Sequence, residues 1–271
     1  MKRYKVDKTQ NFNLEQYDPQ EIKLWEDGKK EAKKKIKDLR KELIDLQRLL
    51  YAENKHKLLI VLQAMDAGGK DGTIRSIFKG VNPQGVKVAG FKVPTEEELG
   101  HDYLWRIHKH TPKTGEITIF NRSHYEDVLV VRVHELVKKE RWQKRFRHIR
   151  EFEKLLADEG TTILKFFLYI SKDEQKERFL ERIDLKEKQW KFNPGDLEER
   201  KIWDKYMEAF QETIQETSTS YAPWYVIPAN RNWYRDYLVI SIITETLRDY
   251  KMKYPKPIEN IEQYKPALIN D

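Results

Sequence analysis

The stretch Lys57-Leu58-Leu59-Ile60-Val61-Leu62-Gln63-Ala64-Met65-Asp66-Ala67-Gly68-Gly69-Lys70-Asp71-Gly72-Thr73 decides how this chain is read. An apolar run of strand length feeds a glycine-rich turn with one lysine, and helix-compatible sequence follows. Phosphate binding needs that order. Glycines let successive backbone N–H groups curl around an anion, and the N-terminus of the following helix adds partial positive charge. The candidate phosphate ligands are therefore Ala67, Gly68, Gly69, Lys70, Asp71, Gly72 and Thr73. The match to the phosphate-loop pattern G-x-x-x-x-G-K-[ST] is imperfect. Ala64 sits at the first glycine, and Asp71 replaces the hydroxyl residue that would meet magnesium. An ordinary glycine-rich strand-to-helix turn would read the same way.

Working outward, Val86–Phe91, Ile117–Phe120, Thr162–Ile170 and Trp224–Ile227 read as four further strands after Lys57–Leu62. Helical sequence lies between them. Thr95-Glu96-Glu97-Glu98 opens as a capping box, and Lys139–Glu159 carries Trp142, Phe146, Ile149, Phe152 and Leu156 at helical spacing. Ser171 caps the helix after the fourth strand, and the last helix follows Asn230. Upstream, Asp18-Pro19-Gln20-Glu21 predicts the start of a long amphipathic helix with apolar positions Ala32, Ile36, Leu39, Leu43, Leu46 and Leu50. Its seam fits either its own domain or another subunit. Alternating strands and helices predict an α/β fold: a five-stranded parallel sheet with helices on both faces. Sites in such sheets lie at the carboxyl ends of the strands.

One segment breaks the rhythm. Residues 184–220 are charged and helical, interrupted by Asn193-Pro194-Gly195, and read as a helical insertion within one domain spanning 1–271. The tail after Tyr254, with Pro255, Pro257 and Pro266, reads as an irregular surface segment.

Charged residues make up 36% of the chain and hydrophobic ones 39%, with a net charge of +7. That excess attracts polyanions without choosing among nucleic acid, membrane surface and phosphorylated small molecules. The chain has no cysteine, which excludes disulfides and thiolate metal sites. Without a membrane-length apolar run or a signal-peptide core, the expectation is a cytoplasmic protein with no membrane partner.

Phosphoryl transfer is mostly positioning and charge neutralisation. It needs a phosphate loop, a metal carboxylate and cations for the non-bridging oxygens. Asp66 lies inside the loop, and Arg122 stands at the end of the third strand in Phe120-Asn121-Arg122-Ser123-His124-Tyr125-Glu126-Asp127. Arg178 and Arg182 share one helix face four residues apart, and Lys186, Lys188 and Lys191 follow around Trp190. Each has a plainer reading. The arginines fit a solvated face paired with Glu174, Glu177 and Glu181, His124 and Tyr125 fit packing roles, and Glu126 and Asp127 fit a helix start.

Together these residues resemble the polyphosphate kinase 2 family. The matching motifs are Asp66-Ala67-Gly68-Gly69-Lys70-Asp71-Gly72, Phe120 to Val128, Ser171-Lys172-Asp173-Glu174-Gln175 with Arg178-Phe179 and Arg182, Trp190-Lys191, and Ser220-Tyr221-Ala222-Pro223-Trp224. The resemblance spans residues 17–254, and Asn-Arg-Ser-His-Tyr-Glu-Asp is similar to the class III branch, which phosphorylates both AMP and ADP from inorganic polyphosphate. It implies a P-loop kinase fold akin to thymidylate kinase and a helical lid over 184–220. It also implies Mg²⁺, with Mn²⁺ as an alternative, and a homo-oligomer, dimer or tetramer. By matching position, Asp66 would hold metal and Lys70 would bind the transferring phosphate. Arg122 and Arg182 would stabilise that group, with Arg178 beside them. Asn121 stands where many members have Asp. A carboxylate role is therefore expected to pass to Glu126 or Asp127, with Asn121, His124 and Tyr125 supporting the metal or the acceptor. The competing readings are an ATP-dependent nucleoside monophosphate kinase and a non-catalytic polyanion- or nucleic-acid-binding protein. The chain carries no recognisable nucleic-acid module, so nucleic acid is not expected as a partner.

Overall fold

The computed structural model describes residues 1–6, 11–25 and 28–269. Five strands form one parallel sheet: β1 (Lys57–Gln63), β2 (Val86–Gly90), β3 (Ile117–Asn121), β4 (Thr161–Tyr169) and β5 (Trp224–Pro228), in the spatial order β2-β3-β1-β4-β5. The helices, in chain order, are α1 (Gly28–Glu53), α2 (Lys70–Ile77), α3 (Glu96–Gly100), α4 (Trp105–His108), α5 (Val130–Val133), α6 (Lys139–Asp158), α7 (Lys172–Asp184), α8 (Gly195–Lys201), α9 (Trp203–Thr217), α10 (Asn232–Asp249) and α11 (Lys265–Ile269). The five expected strands are all present, with ends shifted by a residue or two.

Central β1 is buried from Leu58 to Gln63, as a strand covered on both faces must be. One helix group, α1 with α2 and α10, packs together. A second group joins α6 to α5 and α9, and β4 touches both α6 and α10. The α1 seam (Ala32, Ile36, Leu39, Leu43 and Leu50) is buried, and α1 lies along α10 of the same chain. The apolar period that fitted either its own domain or a partner is thus taken up within the chain.

Two expectations need correction. The segment after Asp18 forms turns, and the helix begins at Gly28. Asp18 Oδ1 accepts from the Gln20 amide at 2.8 Å, a local turn that competes with helix. Glu21 closes no capping box, because Arg3 (3.0 Å) and the Tyr4 hydroxyl (2.6 Å) take its carboxylate. In the tail, a short turn and α11 interrupt the irregular course, with every described residue of 253–269 exposed. Among the described residues no helix is long and apolar enough to cross a membrane.

Candidate active site

The loop between β1 and α2 turns through two left-handed residues, Ala67 (φ 59°) and Gly69 (φ 97°). Glycine is required at 68 and 69 for different reasons. A Cβ on Gly68 would lie 2.4 Å from Ala64 Cβ and 2.7 Å from the Met65 carbonyl. A Cβ on Gly69 would meet the Arg235 guanidinium at 2.1 Å, on a backbone that L side chains rarely adopt. The loop is clamped from α7. Gln175 Nε2 donates to Asp66 O at 3.0 Å, and Arg178 donates to Ala67 O at 2.9 Å. Thr73 turns its hydroxyl back onto Gly69 O (3.0 Å).

Above the loop opens a cleft of ≈ 900 Å³ at the carboxyl ends of the strands. Lys70 is only 9% exposed, and its ammonium donates to Ala64 O at 2.8 Å. Burial, and then the charge of Arg122, pull its pKa below the usual lysine value. Arg122 donates to Asp66 Oδ1 at 2.7 Å from a left-handed backbone (φ 64°). An arginine held there without a glycine's freedom marks local strain, of the kind that clusters at functional sites. Glu126 lies beside them. Burial raises its carboxyl above the usual range, while Arg122 and Lys70 oppose the shift. Asn121 donates to Asp71 Oδ1 at 2.6 Å.

The other expected cations divide. Arg178 lines the cleft, but its guanidinium is committed to Glu174, Ala67 O and Ala229 O, so it braces the loop. The plainer expectation, pairing with Glu174, holds for one of those contacts. Arg182 lines the cleft with its guanidinium on Asp196 Oδ2 at 3.0 Å, across to the 184–220 segment. Lys188 and Lys191 line the cleft as well, with Lys188 paired to Glu181 at 2.7 Å. Lys186 is exposed and does not line it.

Three expected residues lie elsewhere. Asp127 faces away from the loop, because Arg145 donates to its Oδ1 at 3.0 Å and Arg106 stands 4.0 Å from its Oδ2. Those two guanidiniums, not the cleft, claim the carboxylate, so the expected metal role does not fit its position. His124 and Tyr125 are fully buried against Glu153: Tyr125 Oη donates to Glu153 Oε1 at 2.7 Å, and His124 Nε2 lies 3.3 Å from the same atom. They pack and pair inside the fold, as the plainer reading had it.

The cleft also holds residues that the sequence reading missed, Arg235, Arg75 and Lys92, and Asp196 stands at it through its ion pair with Arg182. Arg235 stands far from the loop in sequence, in no local motif. Its position on α10, three residues after Asn232, becomes meaningful only once α10 packs on α2. Asp196, just after Asn193-Pro194-Gly195, has its carboxyl raised by burial and by nearby Asp66.

No group of three or more His, Asp or Glu side chains gathers at one point among the described residues. Beside the glycine loop stand instead the Asp66 carboxylate, which lines the cleft, and the Glu126 carboxylate next to Lys70 and Arg122. That donor set suits a hard cation that takes one or two carboxylates and completes its shell with phosphate oxygens and water. It does not suit a closed protein cage. Chemically, the arrangement can gather polyphosphorylated anions, neutralise them and align one against another.

The chain is similar to known proteins over most of its length. The family description "Polyphosphate kinase 2" matches residues 26–255. The AMP/ADP-polyphosphate phosphotransferase of Meiothermus ruber is 62% identical over 257 residues, covering 95% of this chain and 96% of the relative. The ADP-polyphosphate phosphotransferase of Rhodopseudomonas palustris is 44% identical, over 94% of this chain and 92% of its own length. The crystal structure of polyphosphate kinase 2 from Arthrobacter aurescens TC1 superposes with a TM-score of 0.95 at 38% identity, covering 99% of this chain and 96% of that one. With a family match over residues 26–255 and a relative 62% identical over 95% of its length, the chain belongs to the polyphosphate kinase 2 family of phosphotransferases.

Proposed function

We propose that the protein transfers the terminal phosphate of inorganic polyphosphate to AMP and ADP. The observation that carries this reading is the convergence of Lys70, Arg122 and Arg235 on one glycine loop, with the Asp66 and Glu126 carboxylates alongside. The names of the Meiothermus and Rhodopseudomonas relatives supply the donor and acceptors.

The acceptor's terminal phosphate is already largely ionised near neutral pH, since such second pKa values lie around 6, so no general base is required. The barrier is the approach of two anions. Lys70 and the loop N–H groups would hold the transferring group, and Arg122 would meet its equatorial oxygens. Arg178 acts through the loop it braces. Reactions of this kind generally use a divalent metal. Asp66 and Glu126 are the residues that would hold Mg²⁺ or Mn²⁺, and the bound cation would supply further neutralisation of phosphate charge.

Residues 184–220 are proposed as a lid. Arg182 is held by Asp196 from that segment, so lid position and arginine position are linked through one ion pair. The proposal extends to a homo-oligomer: β2 is an edge strand with Val88 exposed, and Val93 beyond it is exposed too. Light scattering on the purified protein tests that part.

The test of the main reading mixes protein, Mg²⁺ and AMP or ADP with either polyphosphate or ATP. ADP and ATP formed from polyphosphate are expected. Transfer to AMP from ATP alone would overturn the reading.

A further inference from the structure

Two side chains of α7 reach the phosphate loop, and they differ in what stands behind them. Arg178 is backed by Glu174 of its own helix. Gln175 is fully buried, and its amide joins two other elements. Its Nε2 donates to Asp66 O at 3.0 Å, and its Oε1 accepts from Arg200 Nη1 at 3.2 Å. Arg200 stands on α8, inside the 184–220 segment, and the same Nη1 also donates to Lys172 O at the start of α7.

The amide can lie only one way round. A backbone carbonyl only accepts, so the NH₂ of Gln175 must face Asp66. A guanidinium only donates, so the amide oxygen must face Arg200. Each partner therefore fixes the end that the other needs. The acids of α8 are taken by other groups: Asp196 by Arg182, Glu198 by Lys201 and Glu199 by His134. Arg200 spends its charge on neutral oxygens instead. Such a charge-assisted bond is stronger than a neutral one, and it polarises the amide toward Asp66 O.

The carbonyl so held belongs to the residue whose carboxylate lines the cleft and meets Arg122 at 2.7 Å. Ala67 follows in the left-handed region (φ 59°), a conformation that a non-glycine residue keeps only when its surroundings hold it. The Gln175 bond to Asp66 O and the Arg178 bond to Ala67 O hold that turn. Next to Arg200, Glu199 seats α8 on the body of the fold, accepting from Tyr206 Oη at 2.6 Å and lying 3.0 Å from His134 Nε2. A continuous path of contacts thus runs from the body through α8, Arg200 and Gln175 to the loop.

We propose that Gln175 is a positioning residue through which the lid sets the shape of the phosphate loop; the inference rests on the lid and kinase readings above. With α8 seated, Arg200 orients the Gln175 amide, and the amide holds the Asp66 turn so that its carboxylate stands beside Arg122. With α8 displaced, the amide loses its orientation and the loop loses one of its two clamps from α7. Arg200 does not line the cleft, so it acts on the reaction without touching a substrate.

The test is a double-mutant cycle on polyphosphate-dependent phosphorylation of ADP. It uses Arg200→Ala, Gln175→Met and their combination, with Lys201→Ala as the control for charge lost from α8. Gln175→Met keeps the volume and removes both hydrogen bonds. Each single variant should lower kcat about tenfold, as expected when a reacting group is held slightly out of place. KM for ADP should stay within about twofold, because Lys70 and Arg122 are intact. The combination should lose about tenfold rather than about a hundredfold, because the two side chains act as one unit. Hydrogen exchange over residues 64–69 should speed up alike in both single variants and no further in the double. Arg200→Lys should recover part of kcat, since lysine keeps the charge without the fork. Lys201 is exposed and pairs with Glu198, so Lys201→Ala should match wild type. Losses that multiply, or a normal kcat in Arg200→Ala, overturn the coupling and leave the kinase reading standing. A thermal melt checks folding, and if Gln175→Met does not fold, Arg200→Ala against Lys201→Ala decides alone. Failure of wild type to transfer phosphate from polyphosphate would remove the kinase reading itself.

Discussion

Residues Asn121 to Asp127 are shared between two charged clusters that differ in one respect. Asn121 and Arg122 line the cleft together with Lys70 and Asp66, and Glu126 lies beside Arg122. His124 and Tyr125 face the interior and Asp127 faces a separate groove, and the charges they meet, Lys165, Glu153, Arg106 and Arg145, are paired within the protein. Lys165 Nζ donates to Glu153 Oε2 (2.6 Å), Tyr125 Oη (2.8 Å) and Thr217 O (2.7 Å), all buried. Asp127 is held by Arg145 and Arg106. Charge density alone does not mark an active site, because both clusters have it. What separates them is access: Arg122 and Asp66 pair with each other too, but beside a cleft that a substrate can enter. The interior cluster fixes the backbone on which Arg122 and Glu126 are mounted.

The largest effect should come from the cleft. Lys70→Ala is expected to lower turnover about 10²–10³-fold, the usual cost of one donor aimed at developing charge. The melting temperature should move little, since only the contacts to Ala64 O and Met65 O are lost. Arg122→Ala should cost a similar factor. Arg182→Lys should keep part of the activity that Arg182→Ala loses, because lysine retains charge without the planar fork. Steady-state kinetics on folded variants decides this. Near-normal turnover in Lys70→Ala would put the two clusters on an equal footing and end the distinction between them.

The interior cluster should respond in stability instead. Lys165→Met leaves the Glu153 carboxylate buried without its main partner, at a cost of about 3–5 kcal/mol. Adding Glu153→Leu should recover part of that loss. Urea denaturation measures both. Acid sensitivity follows from the same pair. Burial alone would raise the Glu153 carboxyl, but Lys165 and His124 hold it below the usual value. A folded-state pKa below the unfolded one gives stability that is present above the unfolded value and lost as pH falls through the folded one. Glu153→Leu with Lys165→Met should flatten that acid limb. An unchanged limb would place acid sensitivity elsewhere.

Much of this was legible beforehand where the signal is local. The β1–loop–α2 order, the Thr95 capping box and the Ser171 cap appear where the sequence put them, because each rests on residues three to four apart. The orientation of side chains within Asn121 to Asp127 was not legible. A 3₁₀ turn over His124–Asp127 sends neighbouring residues to opposite sides, and no periodicity in the sequence marks it. Arg235 was missed because its role arises from helix packing. The helix start at Asp18 failed because Arg3 and Tyr4, distant in sequence, take the glutamate that the local pattern assigned to a cap.

The smallest effect, and the sharpest test of the comparison, lies in two adjacent acids. Glu126 lies beside Arg122 and Lys70 and its carboxyl is raised by burial, so the folded protein binds its proton more tightly than the unfolded chain does. Its contribution to stability is therefore full below the unfolded value and lost as pH rises through the folded one. Activity that needs the carboxylate should rise over that same window, above the usual carboxylate range. Glu126→Gln should remove that rise and increase the Mg²⁺ concentration needed for half-maximal rate several-fold. Asp127 is also raised by burial, but Arg145 and Arg106 face it and the cleft does not. Asp127→Asn should cost about 1–3 kcal/mol in stability, through two buried guanidiniums left short of an acceptor charge. Its Mg²⁺ titration should overlay that of wild type. Metal titrations of the two variants, run side by side, decide the matter. A shifted metal requirement in Asp127→Asn would mean that its cluster reaches the reacting phosphates after all, while an unshifted one in Glu126→Gln would leave the cation to the carboxylates that line the cleft, Asp66 first among them.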